Sequence, residues 1–101
     1  MTKAEMNEVY DLMSEKRTIE YNIGKVVEEL AEEIVEVKHM YDGKSDVIDV
    51  IKEIVDVEIC NEFLMREMYK NKNPHKIDLY QFMQEYKSLK LTKVREKLKQ
   101  S

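Results

Sequence analysis

Two glycines and one proline are all that punctuate this chain of 101 residues, and that scarcity restricts its fold more than any other feature. A chain rich in Glu, Lys, Met, Leu and Ile with so few breakers reads as helices joined by few turns. Its length makes one domain, residues 1–101, with room for a modest core. The expected class is all-α, with four helical segments in a four-helix bundle-like arrangement. No apolar run approaches the ~20 residues of a membrane span, and no signal-peptide pattern opens the chain. The lone Cys60 rules out an internal disulfide framework and suits a reducing compartment, so a cytoplasmic location is expected.

Thr2 and Glu5 have the spacing of a capping box, which starts a first helix ending near Lys16–Arg17. Asn22 is expected to cap a second. Its apolar residues Ile23, Val26, Val27, Leu30, Ile34, Val37 and Tyr41 follow the helical 3, 4, 7 spacing. Gly43 suits the left-handed position that ends it. Ser45 is expected to cap a third helix reaching about Tyr69, and Asn73-Pro74 to open a fourth. The third helix has two apolar faces. One holds Val47, Ile48, Ile51, Ile54 and Val55; the other holds Val50, Val57, Cys60, Phe63 and Leu64. A helix apolar nearly all round is covered on more than one side. In so short a chain the simplest cover is a second subunit, so a homodimer or homotetramer is expected.

Charge is unevenly spread. Residues 20–62 hold thirteen Asp/Glu against four Lys/Arg, a balance of −9, while residues 63–101 hold four against ten, a balance of +6. The acidic middle argues against a nucleic acid polymer as partner, since phosphate backbones are met by basic faces. The basic tail reads equally as a solvated helix end or as a phosphate-facing one.

Within VVEELAEEIVEV (Val26–Val37), five glutamates crowd three turns. Like charges this close cost stability instead of adding the ~0.2–0.5 kcal/mol of an opposite-charge pair. Glu29, Glu32 and Glu36 share one flank of the second helix, and Asp49, Glu53 and Asp56 fall on the second apolar face of the third. If the two helices run antiparallel around Gly43, the Glu29/Glu32 pair and the Glu53/Asp56 pair stand at one level, about 18 Å up the hairpin. Carboxylates withdrawn from water need a partner or a metal. Hard oxygen ligands select Mg²⁺, Mn²⁺ or Ca²⁺, and Mg²⁺ completes its octahedron with water and substrate phosphates.

Glu-Glu-x-x-Glu at 28–32 followed by Glu-x-x-Asp at 53–56 resembles the MazG-like branch of the all-α nucleoside triphosphate pyrophosphohydrolases. The likeness covers about Val26 to Ile59. It implies the all-α fold of that family and Mg²⁺-dependent hydrolysis of an NTP or dNTP to the monophosphate and pyrophosphate, with Mn²⁺ as a possible substitute. It also implies Glu29, Glu32, Glu53 and Asp56 as catalytic metal ligands. Glu28 matches the motif but points away from the cluster on a helical wheel. Members of that family often bring basic residues from the last helix to the phosphates; of Lys87, Lys90, Lys93 and Arg95, the pair Lys90 and Lys93 fits that role best. Glu58 departs from the apolar residue expected after the second motif.

Other readings compete. Glu36 and His39 form one Glu-x-x-His, but a di-iron site needs two such motifs, and His75 has no glutamate three residues before it. His39 is expected to meet the last carbonyls of its helix. Cys60 is expected to be a buried packing residue, as no histidine stands at a dyad spacing. The chain could also be a helical interaction module without catalysis, or an enzyme like phosphoribosyl-ATP pyrophosphohydrolase.

Overall fold

In the computed structural model, which describes residues 1–71 and 73–100, the chain forms four helices and no strand among the described residues. They are α1 (Lys3–Lys16), α2 (Ile19–Tyr41), α3 (Val47–Asn71) and α4 (Leu79–Gln100). The chain divides into two compact units, Met1–Leu64 and Met65–Ser101. The first unit holds α1, α2 and most of α3; the second holds the end of α3 and α4. None of the helices is long and apolar enough to cross a membrane, judged over the described residues.

The caps explain where each helix begins. At α1, Glu5 N donates to Thr2 Oγ1 (3.1 Å) and Thr2 N donates to Glu5 Oε1 (3.0 Å), the reciprocal capping box expected there. α2 starts earlier than expected. Thr18, not Asn22, is its cap, with Thr18 Oγ1 accepting from Tyr21 N at 3.2 Å. Asn22 is buried one turn inside, and its Nδ2 donates to the Met13 carbonyl (3.1 Å), which ties α2 to α1. A buried amide must find such a partner.

The hairpin between α2 and α3 turns on Gly43, at φ 75°. Lys44 N donates to His39 O (2.7 Å) and Gly43 N to Met40 O (3.0 Å). These are the two bonds of a Schellman closure, whose left-handed residue is glycine because a Cβ there clashes with the backbone. Asp46, not Ser45, then caps α3: its Oδ1 accepts from Ile48 N at 3.0 Å. Ser45 is diverted, since its Oγ donates to Glu36 Oε2 at 2.8 Å. In the second unit Asn73-Pro74 does not open α4. Asn73 instead closes a turn, with its Nδ2 on Ile77 O (2.7 Å) and its carbonyl on Lys76 N (3.2 Å). Lys76 is left-handed (φ 52°), which interrupts any helix there, and Asp78 caps α4 through Gln81 N at 3.1 Å.

The core is thin and lies in the first unit. Val26 of α2 is buried with Val50, Val57 and Phe63 of α3. Full burial of such side chains contributes ~1.5–3 kcal/mol each. These α3 residues belong to the second apolar face. The first face, Val47, Ile48, Ile51, Ile54 and Val55, is exposed. So is most of the apolar stripe of α2: Val27 is 62% exposed, Ile34 71% and Tyr41 85%. Ile23, Val27, Leu30, Ile34, Val37 and Tyr41 are spaced 4, 3, 4, 3 and 4 apart, the spacing that a coiled-coil seam requires.

Candidate metal centre

Glu29 and Glu32 stand on successive turns of α2, and Glu53 and Asp56 on successive turns of α3. The tight Gly43 closure sets the two pairs opposite each other. Single carboxylate oxygens of Glu29, Glu53 and Asp56 all lie within 4.8 Å of one another, and those of Glu28, Glu29 and Glu32 do the same. Glu29 belongs to both groups and is their hub. All four expected ligands are therefore drawn together around one residue.

Depth distinguishes them. Glu29 and Glu53 are half-buried, whereas Glu32 and Asp56 are exposed. Glu29 Oε2 and Glu53 Oε2 are shielded from solvent and have no hydrogen-bond partner. Carboxylate oxygens left so are expensive, because water's hydrogen bonds are lost and nothing replaces them. Burial pushes the Glu29 carboxyl above its usual range, followed by the charges of Glu32 and Asp56, a hydrogen bond shared with Glu32, and the charge of Glu53. Glu53 is raised too, first by burial, then by Glu32 and Asp56, and then by Glu36 and Glu33. Burial and mutual repulsion thus both oppose full ionisation of the site. A small hard dication fits this donor set: it would give the two orphaned oxygens a partner and offset the repulsion, while the exposed side stays open to water and phosphate.

Glu28 is closer than the helical wheel places it. Its backbone position is off the flank, but its long side chain brings the carboxylate beside Glu29 and Glu32, and Lys25 Nζ pairs with it at 3.3 Å. Lys25 is the neighbour that the sequence reading overlooked, although its i, i+3 spacing to Glu28 marks an ion pair. Asp49 is exposed and outside both groups, while Glu36 is held by Ser45. His39 does not turn to the helix carbonyls as expected. Its Nδ1 lies 3.9 Å from Glu36 Oε1, and no histidine belongs to either acidic group among the described residues. Cys60 is half-buried, and burial pushes its thiol up, which fits a packing role. Lys90 and Lys93 are on α4 in the second unit, both exposed, with Lys90 Nζ 5.9 Å from the Tyr86 ring centroid.

No protein-family model matches this chain, and neither a curated protein nor a solved structure matches it.

Proposed function

We propose that the chain is a MazG-like, divalent-metal-dependent nucleoside triphosphate pyrophosphohydrolase, converting an NTP or dNTP to the monophosphate and pyrophosphate. The observation that carries this reading is the convergence of two i, i+3 acid pairs with two solvent-shielded, unpartnered oxygens at its centre. Glu29, Glu32, Glu53 and Asp56 would hold Mg²⁺, or Mn²⁺ in its place. The ion supplies charge neutralisation for a polyphosphate and acidifies a water. Glu32 and Asp56 are the exposed members of the quartet, and in this reading one carboxylate not fully taken up by the metal accepts the proton of that water. The water oxygen bonds to the α-phosphorus, the bond to the bridging oxygen breaks, and pyrophosphate leaves. The exposed seam of α2 and the bare face of α3 support assembly as a homodimer or homotetramer, and the protein is assigned to the cytoplasm.

The test is pyrophosphate release from a panel of dNTPs, NTPs and phosphoribosyl-ATP, with and without Mg²⁺. Metal-dependent release from a nucleoside triphosphate is expected, and turnover of phosphoribosyl-ATP alone would move the assignment to that related enzyme. Release from none of them overturns the reading. The same exposed apolar seam favours a second one, a helical interaction module without catalysis. Such a module would melt at the same temperature with millimolar Mn²⁺ as without it, beyond ionic-strength effects.

A further inference from the structure

Next to the carboxylates, toward the α1–α2 junction, lies a set of opposite character. Arg17, Tyr21 and Lys25 are spaced four apart. The Arg17 guanidinium carbon lies 5.2 Å from the Tyr21 ring centroid, and Lys25 Nζ lies 6.0 Å from the same centroid. Tyr21 is 48% exposed and Arg17 is exposed too, while Lys25 is half-buried. Arg17 and Lys25 also line one small cavity of about 30 Å³ with Met13, Asn22, Cys60 and Phe63, room for about one water. Lys25 is contiguous with the metal centre through Glu28, whose carboxylate it meets at 3.3 Å and which lies within 4.8 Å of Glu29 and Glu32 oxygens.

Two cations gathered on one ring would be squandered as neutralisers here. Lys25 pairs with Glu28, the acid outside the quartet, while Glu29 Oε2 and Glu53 Oε2 go without a partner. The ring's negative face holds the cations at the end of the acid site without discharging it. Arg17 presents a planar fork suited to a phosphoryl group, and Lys25 a mobile point charge.

We propose that Arg17 and Lys25, held against Tyr21, form the receiving site for the distal phosphoryl groups of a polyphosphate whose inner part lies at the carboxylates. This rests on the metal-dependent reading above and gives it a direction. The leaving pyrophosphate points toward the α1–α2 junction, and the nucleoside points away from it. On arrival of the polyphosphate, Lys25 exchanges Glu28 for a phosphoryl oxygen.

The test is calorimetric titration of the full chain, first with Mn²⁺ alone and then with inorganic tripolyphosphate in saturating Mn²⁺. The unsubstituted protein binds both. Arg17→Met and Lys25→Met keep the Mn²⁺ isotherm but weaken tripolyphosphate by about tenfold or more, the loss of a charge-assisted contact. Lys25→Arg and Tyr21→Phe, which retain the charge and the ring, restore most of the affinity and guard against a folding artefact. Normal tripolyphosphate binding by both methionine variants, with Mn²⁺ binding intact, overturns the receiving site and leaves the metal centre standing. Failure of the unsubstituted protein to bind Mn²⁺ overturns the metal centre, and this site with it.

Discussion

The turn end of the α2–α3 hairpin and its middle are built from the same residue types, yet they treat acids in opposite ways. At the turn three carboxylates each have a partner. Glu36 accepts from Ser45 at 2.8 Å, Asp42 Oδ1 meets Lys38 Nζ at 3.3 Å, and Asp46 caps α3 through Ile48 N. In the middle, Glu29 and Glu53 each bury an oxygen with no partner and are pushed toward protonation. Acids at the turn help the chain fold. Acids in the middle work against it, and residues that oppose folding are where function is sought.

The sharpest way to break this contrast is to neutralise one acid of each kind. Glu32→Gln or Asp56→Asn should lower Mg²⁺-dependent pyrophosphate release at least ~100-fold, since charge stabilisation at a polyphosphate is usually the largest catalytic contribution. Glu36→Gln should stay within a few-fold of the unsubstituted protein; equal losses in all three would erase the distinction. Next in size is the response to metal. If the quartet binds metal as proposed, Mn²⁺ at about a hundred times its dissociation constant should add ~2.7 kcal/mol of stability, on the order of 10 °C in Tm for a domain this small. Differential scanning calorimetry of Glu29→Gln should show a metal-free Tm no lower than that of the unsubstituted chain and no metal response. A smaller effect belongs to the turn: Gly43→Ala should cost ~1–2 kcal/mol in urea unfolding, because φ 75° strains an L-residue.

The subtlest prediction concerns pH. Glu29 and Glu53 both hold protons more tightly in the folded chain than in the unfolded one. Their contribution to stability is complete below the ordinary carboxylate pKa and is lost as pH rises through their raised values. The metal-free protein should therefore melt a few degrees higher near pH 5 than near pH 7.5. Glu53→Gln should flatten that slope, and a slope of opposite sign would contradict the burial of these oxygens.

Much of this was readable in the sequence where one local rule acts alone. The Thr2/Glu5 capping box and the Gly43 turn are local chemistry, and both are present as read. The level shared by the 29/32 and 53/56 pairs followed from helix rise and a short connection. What failed were choices between two eligible neighbours. Ser45 and Asp46 both suit an N-cap, and the loser was decided by Glu36, nine residues away, which took the serine hydroxyl. Asn22 looked like a cap because its burial against Met13 is a tertiary fact. Asn73-Pro74 has the pattern of a helix start, but the left-handed Lys76 that follows cuts it off. Glu28 was misplaced because a helical wheel tracks Cβ directions and not the reach of a flexible side chain.

The Gly43 closure has a consequence beyond ending a helix. Two backbone bonds and one left-handed residue leave the connection no slack, so it acts as a gauge block between two rulers, with the acid pairs as matching marks. A residue added or removed there and taken up by either helix would rotate one mark by about 100° and slide it by about 1.5 Å, enough to take its carboxylates off the shared level. The count of residues in that bend is thus as much a part of the proposed cation site as the glutamates themselves.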